Sequence, residues 1–420
     1  MSSNHPLRSL KERNARVFFA GLGLSAIGTW AHNTAVVLLV RELGGGGLEL
    51  GIAAACQFGP MLLFGLHAGA FADRSDRFRL TIRLQMALAV VAFGLGIIVL
   101  TDNATLSIVY GATVVFGGLT ALENPTRRTF ATELVPPENL GNILALNTSV
   151  MTGARIFGPA LAALLAEVTS TAWVFLGNGI SYAAVLVALL RMDQTRLHRL
   201  ERARPSGSPV RDVLRELWGI PTLRITLIAF AVISTFAYNH SVSLPLLVSD
   251  RLQEDDAVFG WLLSAMSVGN VIGALTVARF DRTPNAWVFG AAGALALSLG
   301  ALSFSTSLAI AIPLVIAFGI SATAFVNSSN NVVQERIDPT FRSRALALTS
   351  VLFIGSTPIG GPITGIIGDT AGAVWANLYG AIISAVAATV GWFVLRRVLA
   401  TDGVGRGAVG HDGGSQRPVR

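Results

Sequence analysis

The residues able to do chemistry in this 420-residue chain are few, and most stand in apolar surroundings. Arg155 precedes Gly158 and Pro159 by nearly one helical turn. A charge in an apolar helix is costly unless it faces a cavity or a partner, and Gly-Pro frees a backbone carbonyl and allows a bend. His32 and Asn33 stand together, as do Tyr238, Asn239 and His240. Gln57, Glu123, Asn327 and Asn330 complete the set of cavity candidates. Polar groups away from water cost free energy unless satisfied, so these side chains are expected to face inward. Each imidazole could exchange a proton near neutral pH, although a single partner also satisfies a buried neutral histidine. Lastly, Gly69 and Asp73 share one short stretch with Arg74, Arg77 and Arg79. The glycine allows close helix approach, and the carboxylate can accept the free N–H groups of a helix N-terminus.

Other chemistries are not expected. Gly-x-x-x-x-Gly-Lys-Ser/Thr does not occur, which argues against direct ATP hydrolysis. With Cys56 the only cysteine, there is no disulfide framework or cysteine-based metal site, and no metal or cofactor is expected. An enzyme would need a nucleophile or acid–base cluster at one depth, and the connecting segments are too short to hold one.

The elements that must position these residues follow from hydropathy. Hydrophobic residues make up 52% of the chain and charged residues 13%, about half the ~25% usual for soluble domains. Mean hydropathy is +0.61. Twelve apolar stretches of about 20 residues, each long enough to cross a bilayer, run from near residue 16 to near residue 395. No cleavage site ends the first one, so it is expected to stay as a membrane helix. Glu123 falls at the end of the fourth stretch, and no carboxylate falls at mid-depth in any of them.

The net charge of +7 does not point to nucleic acid, because the basic residues cluster in the connections. Of 31 Lys and Arg, only Arg41 and Arg251 fall on one side and Arg155 inside a stretch; the other 28 share the opposite side with both termini. The positive-inside rule makes that side cytoplasmic. The acidic segment 250–256 fits the opposite face.

An internal repeat divides the chain. Asn124, Pro136, Gly158 and Pro159 recur as Asn327, Pro339, Gly361 and Pro362, all at an offset of 203. The expected fold is an all-α membrane protein of twelve helices in two six-helix bundles, related by a pseudo-two-fold axis along the membrane normal. The expected units are bundles at 1–190 and 224–396, a cytoplasmic linker at 191–223 and a disordered tail at 397–420.

Gly69-Ala70-Phe71-Ala72-Asp73-Arg74-Ser75-Asp76-Arg77 resembles the pattern after the second helix of major facilitator superfamily transporters. Asp76 replaces the pattern's second glycine, and Phe78 replaces a basic residue. Gly28-Thr29-Trp30, Asn124-Pro125-Thr126-Arg127-Arg128 and Arg155-Ile156-Phe157-Gly158-Pro159 are similar to the branch of enterobactin and macrolide exporters. The resemblance implies a monomeric secondary-active transporter of the inner membrane. It would export a small amphipathic drug, siderophore or metabolite by alternating access, driven by protons as an antiporter. It implies that residues 69–79 latch the two halves together in the outward-open state, and that Gly158-Pro159 seals against the other half. A lysolipid transporter or a non-transporting sensor or scaffold is the alternative.

Overall fold

The computed structural model describes residues 7–198, 210–280, 283–339 and 341–408, with the side chains of 66, 67, 69, 70, 73, 210, 343 and 401–408 left outside the description. The described residues hold helices and no strand, and twelve spans are long and apolar enough to cross a membrane. The first six are single helices: α1 (Arg13–Glu42), α2 (Gly47–Arg74), α3 (Arg77–Leu100), α4 (Leu106–Thr132), α5 (Leu140–Val168) and α6 (Thr171–Leu190). Asp76 explains its own departure from the family pattern: its carboxylate accepts the Arg79 N–H at 3.0 Å and caps α3.

The linker is partly structured. Residues 199–209 of it lie outside the described residues. They are followed by α7 (Val210–Gly219), a short amphipathic helix. Val213 and Leu217, spaced i,i+4, are buried, while Trp218 stays half-exposed. α7 packs on the next span and on the eleventh.

The second half is less regular than the first. The seventh span is broken into α8 (Pro221–Ala237) and α9 (His240–Leu246), with a π-helical turn at Leu247–Leu252. α10 (Val258–Val277), α11 (Asn285–Ser303) and α12 (Leu308–Arg336) follow as single helices. The eleventh span bends at Ser356 between α13 (Arg342–Gly355) and α14 (Thr357–Ala371). The last helix, α15 (Ala373–Ala408), continues past residue 396, and residues 409–420 of the expected tail lie outside the described residues. No proline interrupts 397–408, so nothing forces the backbone ladder to stop there.

Each half packs as its own bundle. In the first, α1 lies on α5 and α6, α3 on α6 and α2 on α4; in the second, α10 lies on α12 and α11 on α12 and α15. Large apolar side chains remain on the outside, such as Val90, Leu190 and Leu297, each at least 70% exposed. In water such a surface would aggregate; in lipid it costs nothing.

Two helix pairs make most of the contact between the bundles, α2 with α14 and α5 with α10, and α2 also touches α9 and α13. The two pairs are the second span with the eleventh and the fifth with the eighth, as a two-fold axis requires. Both junctions sit toward the face opposite the termini, here called the far face. Backbones touch there. A methyl group added at Gly47 would lie 2.6 Å from the Gly365 carbonyl oxygen, and one at Gly260 2.6 Å from that of Pro159. The Asp369 carboxylate of α14 accepts the Gly47 and Leu48 N–H groups at 2.6 and 2.8 Å, capping α2 from the other bundle. Arg41 and Asp256 pair across the same face at 3.4 Å.

Candidate functional site

A cavity of about 510 Å³ lies on the inner face of the first bundle, with Ile354 of α13 reaching it from the second. Its lining runs from Arg128 and Asn147, toward the arginine-rich face, to Asn33, Gln57 and Arg155 at mid-depth. It ends where the far-face junctions begin.

The lining carries one carboxylate, Glu123. Its place corrects the sequence expectation. α4 does not stop at Glu123 but runs nine residues further, about 13 Å at ~1.5 Å per residue. Hydropathy ends a stretch at its first charges, whereas a backbone ladder continues as long as its carbonyls find N–H donors. Pro125 interrupts that ladder without ending the helix. Glu123 therefore lies deep in the bundle. It pairs with Arg127 of the next turn at 2.9 Å and accepts a long hydrogen bond from Gln85 at 3.4 Å. Arg127 also donates to Asn147 at 2.7 Å and to Asn124 at 2.8 Å. This buried ion pair is thus satisfied on several sides, the condition under which such pairs persist.

Arg155 has no such partner. It stands near the middle of α5 and lines the cavity. Its guanidinium lies 5.1 Å from the centroid of the Trp30 ring. Nε is buried and unbonded, and no carboxylate lies within 4.0 Å among the described residues. Tyr238 and His240 of the other bundle are within its electrostatic reach. A cation–π contact contributes ~0.5–2 kcal/mol, less than the ~2.5–3.5 kcal/mol minimum for an arginine at a helix centre. Trp30 alone does not offset the cost of placing the charge there.

The other candidates divide. Asn33 and Gln57 line the cavity. His32 does not: it is buried inside the first bundle, stacked on Phe116 with centroids 4.0 Å apart and edge-on to Phe175. One helical residue of difference turns a side chain by about 100°, so neighbours in sequence face different surroundings. Tyr238 and Asn239 form the break between α8 and α9, which irregular backbone at membrane depth tolerates only when protein covers it. The Tyr238 hydroxyl donates to the Ala322 carbonyl at 2.7 Å, and the Asn239 amide to that of Thr235 at 2.8 Å. His240 follows the break, half-buried, with Nδ1 unbonded. Asn330 accepts from Thr349 at 3.0 Å and ties α12 to α13; Asn327 is half-buried on α12.

The arginines of 69–79 also separate. Arg77 is buried and donates to Glu133 at the end of α4 at 2.6 Å. Arg74 and Arg79 are exposed, the latter 3.9 Å from Asp76. The side chains of Gly69 and Asp73 lie outside the described residues. In the helix-5 element, Gly158 packs against Trp30 and Ile27 of its own bundle, while Pro159 meets Gly260 of the other.

Sequence reasoning did not select Arg127, Trp30 or Asp369. The i,i+4 spacing of Glu123 and Arg127 was an available signal for the first. For Trp30 and Asp369 no local signal exists, since their partners lie more than 100 residues away.

Known proteins agree with this architecture. The chain is 26% identical over 385 residues to the multidrug efflux pump Tap of Mycolicibacterium fortuitum, covering 85% of this chain and 89% of that one. It is 23% identical over 385 residues to macrolide efflux protein A of Streptococcus pyogenes, covering 88% and 93%. It is 22% identical over 268 residues to the staphyloferrin A transporter of Staphylococcus aureus, covering 63% of this chain and 66% of that protein. Among solved structures, an inward-facing bacterial homologue of the human lysosomal transporter Spinster superposes with a TM-score of 0.73 at 14% identity, covering 95% and 99%. The family model for transmembrane secretion effectors matches residues 3–406. With twelve spans in two six-helix bundles, the chain belongs to the transmembrane secretion effector family of major facilitator transporters.

Proposed function

We propose that the protein exports small amphipathic molecules by alternating access, as a monomer in the cytoplasmic membrane with both termini inside. The observation that carries this is the cavity, which reaches the arginine-rich face and stops at the far-face junctions. With the arginine-rich face cytoplasmic, the described state is inward-open. A cavity with few polar anchors and walls from Trp30, Phe58, Met61 and Ile354 suits a drug, siderophore or secreted metabolite. The relatives named for multidrug and macrolide efflux support export over uptake.

The proton gradient is the proposed energy source, and Glu123 the proposed carrier. It is the cavity's one lining carboxylate, and it is paired with Arg127 at 2.9 Å. The test is accumulation of a panel of cationic, neutral and anionic amphipathic dyes in cells expressing the protein. At least one dye is expected to be held at low levels and to rise when a protonophore is added. In proteoliposomes Glu123→Gln is expected to abolish uphill transport while leaving downhill exchange. No difference between expressing and control cells for any dye would reject export. Asp73 of the 69–79 latch is proposed to hold the opposite, outward-open state. Asp73→Asn is expected to lower transport, and unchanged rates would remove the latch.

A further inference from the structure

Four charged side chains line the cavity: Glu123, Arg127, Arg128 and Arg155. Glu123 and Arg127 neutralise each other at 2.9 Å. Arg128 is exposed at the mouth, and no ion pair is formed by it among the described residues. Arg155, at the closed end, has an aromatic ring beneath it and a buried unbonded Nε, with Tyr238 and His240 within electrostatic reach across the interface. The lining from the other elements is neutral: Asn33 of α1, Gln57 and Met61 of α2, and Ile354 of α13. The internal repeat offers no counter-charge either, because Pro358 stands where Arg155 stands in the first half. The cavity lining therefore carries two net positive charges, one at its mouth and one at its end.

Resting on the transport reading above, we infer that the cavity selects molecules bearing an anionic group on an apolar body, with the anion on Arg155. A carboxylate, sulfonate or phosphate supplies the bonds that Arg155 lacks, and a guanidinium fork binds such groups bidentately. The apolar body lies against Trp30, Phe58 and Met61. Arg128 at the entrance draws the same charge from the cytoplasm. A cation of equal size meets repulsion at both ends.

The test is equilibrium binding to the purified full chain in lipid nanodiscs, using three naphthyl probes: naphthalene sulfonate, its neutral sulfonamide and naphthyl trimethylammonium. The sulfonate is expected to bind about tenfold or more tightly than either analogue, the effect of one charge-assisted bond. Arg155→Gln is expected to remove that preference while leaving sulfonamide affinity within about twofold. The sulfonamide also reports that the variant folds. Arg155→Lys is expected to retain part of the preference. Lysophosphatidylglycerol competes with the sulfonate if the anion arrives from the bilayer, and does not if it arrives from water. Equal or tighter ammonium binding, or an unchanged sulfonate preference in Arg155→Gln, overturns the inference and leaves the transporter reading standing. Failure of all three probes to bind the wild-type chain rejects the cavity as a transport site, and the inference with it.

Discussion

At the residue scale, two arginines of one motif have opposite fates. Arg77 is buried against Glu133, whereas Arg79 lies in solvent beside its own helix cap. Removing one partner of a buried pair strands the other charge, at ~3–5 kcal/mol. An exposed pair contributes only ~0–1 kcal/mol. Arg77→Ala should therefore lower the unfolding temperature in detergent markedly, and Arg79→Ala should not; equal shifts would contradict the assignment. The two histidines separate in the same way. His32 stacks between two phenylalanines, so its ring is used as a flat surface. His32→Phe should preserve both expression and transport, and a loss of coupling in this variant would restore His32 as a proton carrier. None of this was legible in the sequence, because burial of an ionic side chain depends on which helix lies opposite.

At the element scale, the far face is closed by helix ends rather than by side-chain plugs. Asp369 caps α2 across the bundles, and glycines let backbones meet. Losing a cap costs about 0.5–2 kcal/mol, and ~1 kcal/mol is about a fivefold change in a two-state population. Asp369→Ala should raise the outward-open fraction by about that factor, read as labelling of a cavity cysteine by a membrane-impermeant maleimide from outside. Gly260→Val should act in the same direction and more strongly, because a branched side chain cannot fit against Pro159. Removing Arg41, whose pair with Asp256 is partly exposed, should change little. The spans themselves were legible as elements, since their length and apolar content are local. Their interruptions were not. The break at Tyr238-Asn239 contains no proline, and it is held open by bonds to Ala322 and Thr235.

At the scale of the whole molecule, the two-fold relation pairs the contacts that close the far face. The far-face closure uses α2 with α14 and α5 with α10. Tying that face shut should stop the cycle. In a Cys56→Ser background, cysteines at positions 41 and 256, in place of the ion pair across that face, should be joined by a short bis-methanethiosulfonate. The cross-linked protein should bind substrate from the arginine-rich side but not transport it, and reduction should restore transport. Full activity of the cross-linked form would show that this face need not open.

The sequence by itself determined the number of spans, their division into two copies, the charge asymmetry of the two faces and the family motif. Each of these reports a local quantity: apolar length, a 203-residue recurrence, or a count of arginines per connection. The tertiary structure alone decided that Glu123 lies inside the bundle on Arg127, that His32 turns away from the cavity and that Arg155 turns toward it without a partner. It also decided which face is closed. The physical reason is that a helix in lipid can be apolar all round. Hydropathy then no longer marks which side of it meets a neighbour, and only packing between helices distant in sequence assigns each face.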